Sequence, residues 1–166
     1  MWKRAIKRYN SPYRSAGTLQ DPIEPGASSP PEIRVREKDS KKHLRIAVID
    51  DDPDMVKVIK VMLRVRGAEV LEAFSGLSGY SLVRRETPDV VLLDIMMPDI
   101  DGFEVLRKLK LDPEVGHIPV IFVSARTGRE HVERGLSLGA QGYITKPFKP
   151  EDLMGKIDEV LAPEES

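Results

Sequence analysis

The sequence predicts an α/β fold in which a parallel sheet of five strands carries helices on both faces. From Leu44 onward, short apolar runs rich in β-branched residues alternate with amphipathic stretches, the pattern of repeated strand–helix units. The run from Val90 to Leu93 is apolar without alternation, as expected for a central strand buried on both faces. Of the 166 residues, 40% are hydrophobic and 32% are charged, which suits one domain of ordinary size.

The first strand is predicted at 45–49, and the helix after it at about 53–66. Asp52 followed by Pro53 predicts that start, because aspartate is a favoured N-cap and proline suits the first helical position. Gly67 predicts the end of the helix. Its buried face is predicted from apolar residues at helical spacing, which are Met55, Val58, Ile59, Met62 and Leu63.

The other elements follow the same alternation. Strands are predicted at 69–73, 90–93, 120–123 and 142–145. Helices are predicted at about 77–85, 102–111, 130–138 and 151–161. Pro88, Gly139 and Pro163 mark the ends of three of these helices. Asp99 and Asp101 lie in a Pro/Gly turn, and both are predicted to cap the third helix.

Residues 1–43 differ from the rest in being rich in Pro, Ser, Gly and charge, which predicts a mostly disordered N-terminal extension. The folded domain is then 44–162, and 163–166 form a short tail. Residues 1–20 contain five Lys or Arg residues and no acid. This basic arm is a solvated tail on the simpler interpretation. An amphipathic helix that docks a partner or a membrane surface is the alternative, because four apolar residues fall near helical spacing: Trp2, Ile6, Tyr9 and Tyr13.

Polar side chains follow four of the predicted strands, at the edge where open α/β sheets bind ligands. Asp50 and Asp51 follow the first strand, Asp94 the third, Ser124 the fourth and Lys146 the fifth. Crowded carboxylates repel one another and favour a bound cation, and Mg²⁺ prefers carboxylate, water and phosphate oxygens. Together these residues predict a phosphoryl-transfer site. Such a site needs acids that bind a metal, a hydroxyl and an ammonium that bind phosphate oxygens, and one acid that attacks phosphorus.

The motifs VIDDDP, LLDIMMPDIDG, VSA and GYITKPF, in that order, resemble the response-regulator receiver family, the phosphoacceptor domains of two-component signalling. The resemblance covers 44–162 and implies a flavodoxin-like (βα)5 fold with strand order 2-1-3-4-5. It implies a signalling protein, not an enzyme, in which Asp94 takes a phosphoryl group from a histidine kinase, a phosphotransfer protein or a small phosphodonor.

The same resemblance implies a role for each matched residue. The implied magnesium ligands are Asp50, Asp51, Asp94 and the backbone carbonyl of Met96. Lys146 would pair with the phosphoryl oxygens, Ser124 would donate a hydrogen bond to one of them, and the peptide before Pro147 would be cis. Ser124 and Tyr143 match the family's switch pair, which changes the surface of the fourth helix, fifth strand and fifth helix for a downstream partner. Met96 and Arg126 would tune the lifetime of the phosphoryl group.

Other functions stay open at this point. A phosphorelay intermediate, a phosphate sink and the receiver fragment of a larger regulator all fit the resemblance. From another class, a phosphohydrolase of the haloacid-dehalogenase type would use Asp50 and Asp52, but Asp54 stands where that motif has Thr or Val. A receiver fold that docks partners without being phosphorylated is the third alternative.

Composition excludes several classes. The chain has no cysteine, so disulfides and cysteine-ligated metal sites are absent. No secretory signal or membrane-spanning run is present, and we expect a cytoplasmic protein. No motif supports direct nucleic-acid binding. The oligomeric state is open, with a phosphorylation-dependent dimer among the alternatives. Surface or packing roles are expected for the three histidines, His43, His117 and His131.

Overall fold

A computed structural model describes residues 43–162 of the chain, in which five strands and five helices alternate. The strands are β1 (Arg45–Ile49), β2 (Glu69–Ala73), β3 (Val90–Leu93), β4 (Val120–Ser124) and β5 (Gly142–Thr145). The helices are α1 (Pro53–Arg64), α2 (Gly76–Glu86), α3 (Gly102–Leu111), α4 (Arg129–Ser137) and α5 (Pro150–Leu161). The predictions for the N-terminal extension, including its amphipathic segment, and for the tail 163–166 lie outside the described residues.

The five strands form one parallel sheet in the order β2-β1-β3-β4-β5, which confirms the predicted topology. The strand order reverses between β1 and β3, which are paired in register from Ile46 opposite Val90 to Ile49 opposite Leu93. The residues that follow these two strands are therefore brought side by side. In sheets of this kind, that reversal is where ligands bind.

Two hydrophobic cores lie on opposite faces of the sheet. Alternate residues of each strand contribute to the two cores, as the two-residue period of a strand requires. In β1, Ile46 and Val48 join α1 and α5 in one core, while Ala47 and Ile49 join α2 and α3 in the other. All four residues of β3 are buried, which confirms the prediction of a central strand covered on both faces.

The predicted element boundaries hold to within about two residues, and one helix face needs correction. Asp52 is the N-cap of α1, as predicted, and its side chain accepts a hydrogen bond from the Asp54 N–H at 2.9 Å. The helix ends at Arg64 instead of near Arg66. Val58 is 46% exposed, so its assignment to the buried face is wrong. Val56 is buried instead, because it lies on the helix side that faces the sheet, together with Ile59 and Leu63.

Of the two turn aspartates, one caps the predicted helix and the other does not. Asp101 is the N-cap of α3, and its Oδ1 accepts from the Glu104 N–H at 2.8 Å. The prediction that Asp99 also caps α3 is wrong. Its two carboxylate oxygens accept from the N–H groups of Gly76 and Leu77, each at 2.9 Å, at the start of α2. Between residues 43 and 162, no helix is long and apolar enough to cross a bilayer.

Candidate functional site

Three carboxylates meet at the carboxyl end of the sheet. Asp50, Asp51 and Asp94 each offer an oxygen atom, and these atoms lie within 4.8 Å of one another. Asp50 and Asp94 are only 2% and 5% exposed, whereas Asp51 is exposed to solvent. The structure therefore brings together the three acids that the sequence predicts for a metal site.

Backbone hydrogen bonds of the sheet hold two of these acids in place. The Asp94 N–H donates to the Ile49 carbonyl at 2.8 Å, which continues the β1–β3 ladder by one step. The Asp50 N–H donates to the Ala73 carbonyl at the end of β2, at 3.1 Å. The Oδ1 of Asp50 accepts from the Asp52 N–H at 2.9 Å, which orients its carboxylate. The spacing of the acids is thus a property of the sheet.

Lys146 reaches this cluster from the end of β5. Its ammonium lies 2.7 Å from Oδ2 of Asp50 and 3.4 Å from Oδ1 of Asp94. The backbone N–H of Lys146 donates to the Ser124 carbonyl at 2.9 Å. The peptide between Lys146 and Pro147 is cis, as predicted. The site therefore combines one ammonium with the carboxylates of two neighbouring strands.

The electrostatics of the site follow from this arrangement. Burial raises the pKa of Asp94 above its usual value, the Lys146 ammonium opposes that rise, and the charge of Asp50 adds to it. For Lys146, burial lowers the pKa, but the Asp50 and Asp94 carboxylates outweigh that effect and raise it overall. The lysine is therefore charged at neutral pH. Its charge favours the ionised form of Asp94, against the effect of burial.

The donor set fits a magnesium ion. All three side chains offer carboxylate oxygens, which are the hard ligands that Mg²⁺ takes, and the exposure of Asp51 leaves access for the waters that it keeps. Met96 lies two residues beyond Asp94, and its side chain points away from the core with 53% exposure. That its carbonyl serves as a further ligand stays a prediction.

The two residues of the predicted switch pair both bond to the backbone of Arg126. Ser124 is fully buried, and its hydroxyl oxygen accepts from the Arg126 N–H at 3.3 Å. Tyr143 is half-buried, and its hydroxyl donates to the Arg126 carbonyl at 2.7 Å. The tyrosine ring packs at a tilt on Phe122, with centroids 5.9 Å apart. Burial raises the pKa of Tyr143, so the phenol keeps the proton that it donates.

A surface cleft of about 490 Å³ adjoins Asp51, and its far wall includes two residues, His131 and Arg134, whose place beside the site the sequence does not indicate. Arg126, His131 and Arg134 line that wall. The Arg134 guanidinium lies 4.2 Å from the centre of the Phe103 ring, on which His131 also stacks. The packing role expected for His131 is therefore confirmed, but the residue also borders the site. No local signal could have revealed this, because Phe103 lies on α3 and the other residues on or just before α4.

Gly102 lies against the backbone of Asp94, a contact that no local pattern of the sequence assigns to it. A Cβ atom there would lie 2.2 Å from the Asp94 carbonyl oxygen and 2.8 Å from the Ile95 Cα. Its N–H donates to the Ile95 carbonyl at 2.8 Å. Only glycine lets α3 begin this close to the backbone of Asp94. The signal that could have drawn attention to this glycine is the run Asp-Ile-Asp-Gly, which ends on the first residue of the helix.

The sequence is similar to a known protein family and to individual response regulators. The model of the response regulator receiver domain family matches residues 46–158. Protein PilH of Pseudomonas aeruginosa is 42% identical over 118 residues, which are 71% of this chain and 98% of PilH. The response regulator PleD of Caulobacter vibrioides is 40% identical over 113 residues, which are 68% of this chain and 25% of PleD.

Solved structures share the fold. The CheY-like response regulator receiver domain protein of Methanospirillum hungatei superposes with a TM-score of 0.66 at 35% sequence identity. The match covers 72% of this chain and 94% of that protein. The arrangement of strands and helices described above is thus the one found in CheY-like receivers.

Proposed function

The chain belongs to the response regulator receiver domain family, and from that membership we propose that it accepts a phosphoryl group on Asp94 and signals the change to a partner protein. One observation carries the proposal. The buried Asp94 carboxylate lies within 3.4 Å of the Lys146 ammonium and beside two further acids suited to Mg²⁺. This combination supplies a nucleophile, a cation for the phosphoryl oxygens and a metal site.

In the proposed reaction, an Asp94 oxygen attacks the phosphorus of a phosphohistidine or of a small acyl phosphate. The new O–P bond forms as the bond to the donor imidazole or carboxylate breaks, and the donor leaves with the bonding electrons. Asp50, Asp51, the second oxygen of Asp94 and the Met96 carbonyl would hold Mg²⁺, which neutralises charge on the phosphoryl oxygens when bound. The Lys146 charge opposes the effect of burial on the pKa of Asp94, and the ammonium then pairs with the transferred group.

The proposed response begins at Ser124. A phosphoryl group on Asp94 adds up to about two negative charges and strong acceptor oxygens, so the Ser124 hydroxyl gains a new partner. Both Ser124 and Tyr143 bond to the Arg126 backbone, so a shift of Ser124 reaches Tyr143 through one residue. The surface of α4, β5 and α5 would change in consequence. To move the equilibrium between the inactive and active conformations from about 1:99 to about 99:1, phosphorylation must stabilise the active conformation by about 5.5 kcal/mol relative to the inactive one.

The proposed partners are a histidine kinase or phosphotransfer protein upstream and a protein target downstream, in the cytoplasm. The match to nearly all of PilH supports a receiver that acts through its own surface. The match to a quarter of PleD shows that the same domain also occurs within longer regulators. No observation favours the phosphohydrolase alternative, since Asp52 caps α1 and the Asp54 side chain is 89% exposed.

The test is covalent labelling. The purified chain is incubated with acetyl phosphate and MgCl2, and its intact mass is measured. We expect a gain of one phosphoryl group in the wild type and none in Asp94→Asn. Asp54→Asn is the matched control, because it removes an acid of the same acidic run whose side chain is exposed, and it should label normally. A wild type that gains no mass, or an Asp94→Asn variant that does, would contradict the proposal.

A further inference from the structure

The loop between β3 and α3, residues 95–101, carries the proposed carbonyl ligand Met96. At its far end the loop is bonded to α3. The Gly102 N–H donates to the Ile95 carbonyl at 2.8 Å, and Asp101 caps the helix. These bonds join the two ends of the loop and leave its middle, from Met96 to Ile100, to be held by other contacts.

Asp99 supplies such a contact by bonding the middle of the loop to α2. Its Oδ1 accepts from the Gly76 N–H and its Oδ2 from the Leu77 N–H, each at 2.9 Å. Burial raises the pKa of Asp99, but the N–H groups that it accepts from outweigh this effect and lower the pKa to about 2. At neutral pH the bonds are therefore charge-assisted, and the carboxylate lies at the positive end of the α2 dipole.

The start of α2 also fits the loop closely. A Cβ atom at Gly76 would lie 2.5 Å from Cγ1 of Ile100 and 2.9 Å from the Ile100 carbonyl oxygen. The second of these is a backbone atom, which cannot turn aside as a side chain can. The loop therefore has little freedom to move toward α2, while the two bonds of Asp99 prevent it from moving away.

We infer that Asp99 is a positioning residue for the magnesium site. It touches neither the metal nor the phosphoryl group. By fixing the middle of the loop on α2, it sets the backbone path at Met96 and hence the direction of the carbonyl that would bind the ion. Partners of this kind, one step removed from a metal, commonly contribute to metal affinity. The inference deepens the proposed function and rests on it.

The test measures the Mg²⁺ affinity of the wild type and of Asp99 variants. Calorimetry gives the affinity, and the NMR shifts of the Met96 and Met97 amides on Mg²⁺ binding report on the loop. We expect Asp99→Ala to weaken Mg²⁺ binding about tenfold, at the lower end of the effect of outer-shell residues. In labelling with acetyl phosphate, the Mg²⁺ concentration for half-maximal rate should rise by the same factor, while the rate at saturating Mg²⁺ stays near that of the wild type. The Mg²⁺ affinity of Asp99→Asn should lie between those of the wild type and Asp99→Ala, because the single amide oxygen can replace only one of the two carboxylate oxygens that accept these bonds.

Ser75→Ala is the matched control. The Ser75 hydroxyl caps the same helix by accepting from the Ser78 N–H at 3.2 Å, but it does not bond to the loop. This variant should lose stability and keep wild-type Mg²⁺ affinity. Equal weakening in Ser75→Ala and Asp99→Ala would overturn the inference, because the effect would then come from α2 alone.

Two further outcomes separate this inference from the function on which it rests. Wild-type affinity in Asp99→Ala, or in Asp99→Asn if the alanine variant does not fold, would overturn the inference and leave the labelling of Asp94 untouched. A wild-type chain that neither binds Mg²⁺ nor takes label would overturn the proposed function and this inference with it.

Discussion

Lys146 donates to Oδ2 of Asp50 at 2.7 Å, and this bond joins the end of β5 to the end of β1. Asp94 lies farther from the same ammonium, at 3.4 Å. The cation is therefore held beside the proposed phosphoacceptor by a neighbouring acid. A phosphoryl group on Asp94 would compete with Asp50 for this ammonium, and that competition makes Lys146 sensitive to the chemical state of the site.

Replacing Lys146 tests its effect on the nucleophile. Lys146→Ala removes the charge that opposes the effect of burial on Asp94, so the pKa of Asp94 should rise further. We expect the labelling rate with acetyl phosphate to fall at a higher pH than in the wild type as the solution is acidified. Lys57→Ala, at a lysine that is 80% exposed on α1, is the control. Identical pH profiles for Lys146→Ala and the wild type would contradict this role.

The loss of Lys146 should also uncouple phosphorylation from the response. Labelling of Lys146→Ala remains possible, because Asp94 and the other acids are unchanged. In NMR spectra, the amide signals of α4 and β5 should nevertheless shift less on phosphorylation of this variant than on phosphorylation of the wild type. A full-sized shift in the labelled variant would show that the ammonium is not needed for the response.

Removal of the metal should lower the free energy of unfolding by an amount that depends on Asp51. Mg²⁺ binds the folded site, so at 100 times the dissociation constant it should raise the free energy of unfolding by about 2.7 kcal/mol. Asp51→Asn should lose most of that gain. In EDTA the same variant should be more stable than the wild type, because one of three crowded charges is gone.

Urea unfolding in MgCl2 and in EDTA measures both effects of Asp51→Asn. Asp54→Asn serves as the control, since its exposed acid belongs to the same run but not to the cluster. Equal Mg²⁺ stabilisation of Asp51→Asn and the wild type would exclude Asp51 as a ligand.

Gly102→Ala should damage both the fold and the site. The added Cβ would lie 2.2 Å from the Asp94 carbonyl oxygen, so the start of α3 or the backbone of Asp94 must move. We expect a loss of about 1–3 kcal/mol in the free energy of unfolding, as for other overpacked sites, and slower labelling. Gly155→Ala on α5 is the control, because its Cβ would have no neighbour within 4 Å. Equal free energies of unfolding for Gly102→Ala and Gly155→Ala would show that the close contact between Gly102 and the Asp94 backbone does not matter for stability.

Tyr143→Phe should separate the switch from the chemistry. The variant keeps the ring that packs on Phe122 but loses the bond to the Arg126 carbonyl, at a cost of about 0.5–1.5 kcal/mol in stability. We expect labelling of Asp94 to proceed and the amide shifts of α4 and β5 on phosphorylation to shrink. Tyr80→Phe, which loses a bond to Asp112 at the C-cap of α3, should change stability without changing those shifts. Equal shifts in Tyr143→Phe and the wild type would argue against the switch.

The parts of the fold that depend on local signals were predicted from sequence. Asp52 followed by Pro53 predicts the start of α1, and the uniformly apolar run of β3 predicts a strand covered on both faces. Asp99 shows where this reasoning ends. Its spacing from α3 suggests a cap for that helix, but its partners, Gly76 and Leu77, lie on α2 and can be known only from the packing of α2 beside the loop.

The candidate site divides in the same way. The acids and Lys146 were predicted, because each follows directly after a strand of a parallel sheet and the strand ends meet at one edge. The position of His131 and Arg134 beside the site cannot be predicted in this way. It depends on both side chains packing on the Phe103 ring, a contact between two helices that neither sequence pattern indicates.

The bond between Lys146 and Asp50 joins residues 96 positions apart in the chain. During synthesis, Asp94 and both of the other acids leave the ribosome well before β5 does. A nascent chain that stops short of β5 thus carries Asp94, the proposed phosphoacceptor, without the Lys146 ammonium. The pairing of this ammonium with the carboxylates is thus completed only when the last strand joins the sheet, beside β4.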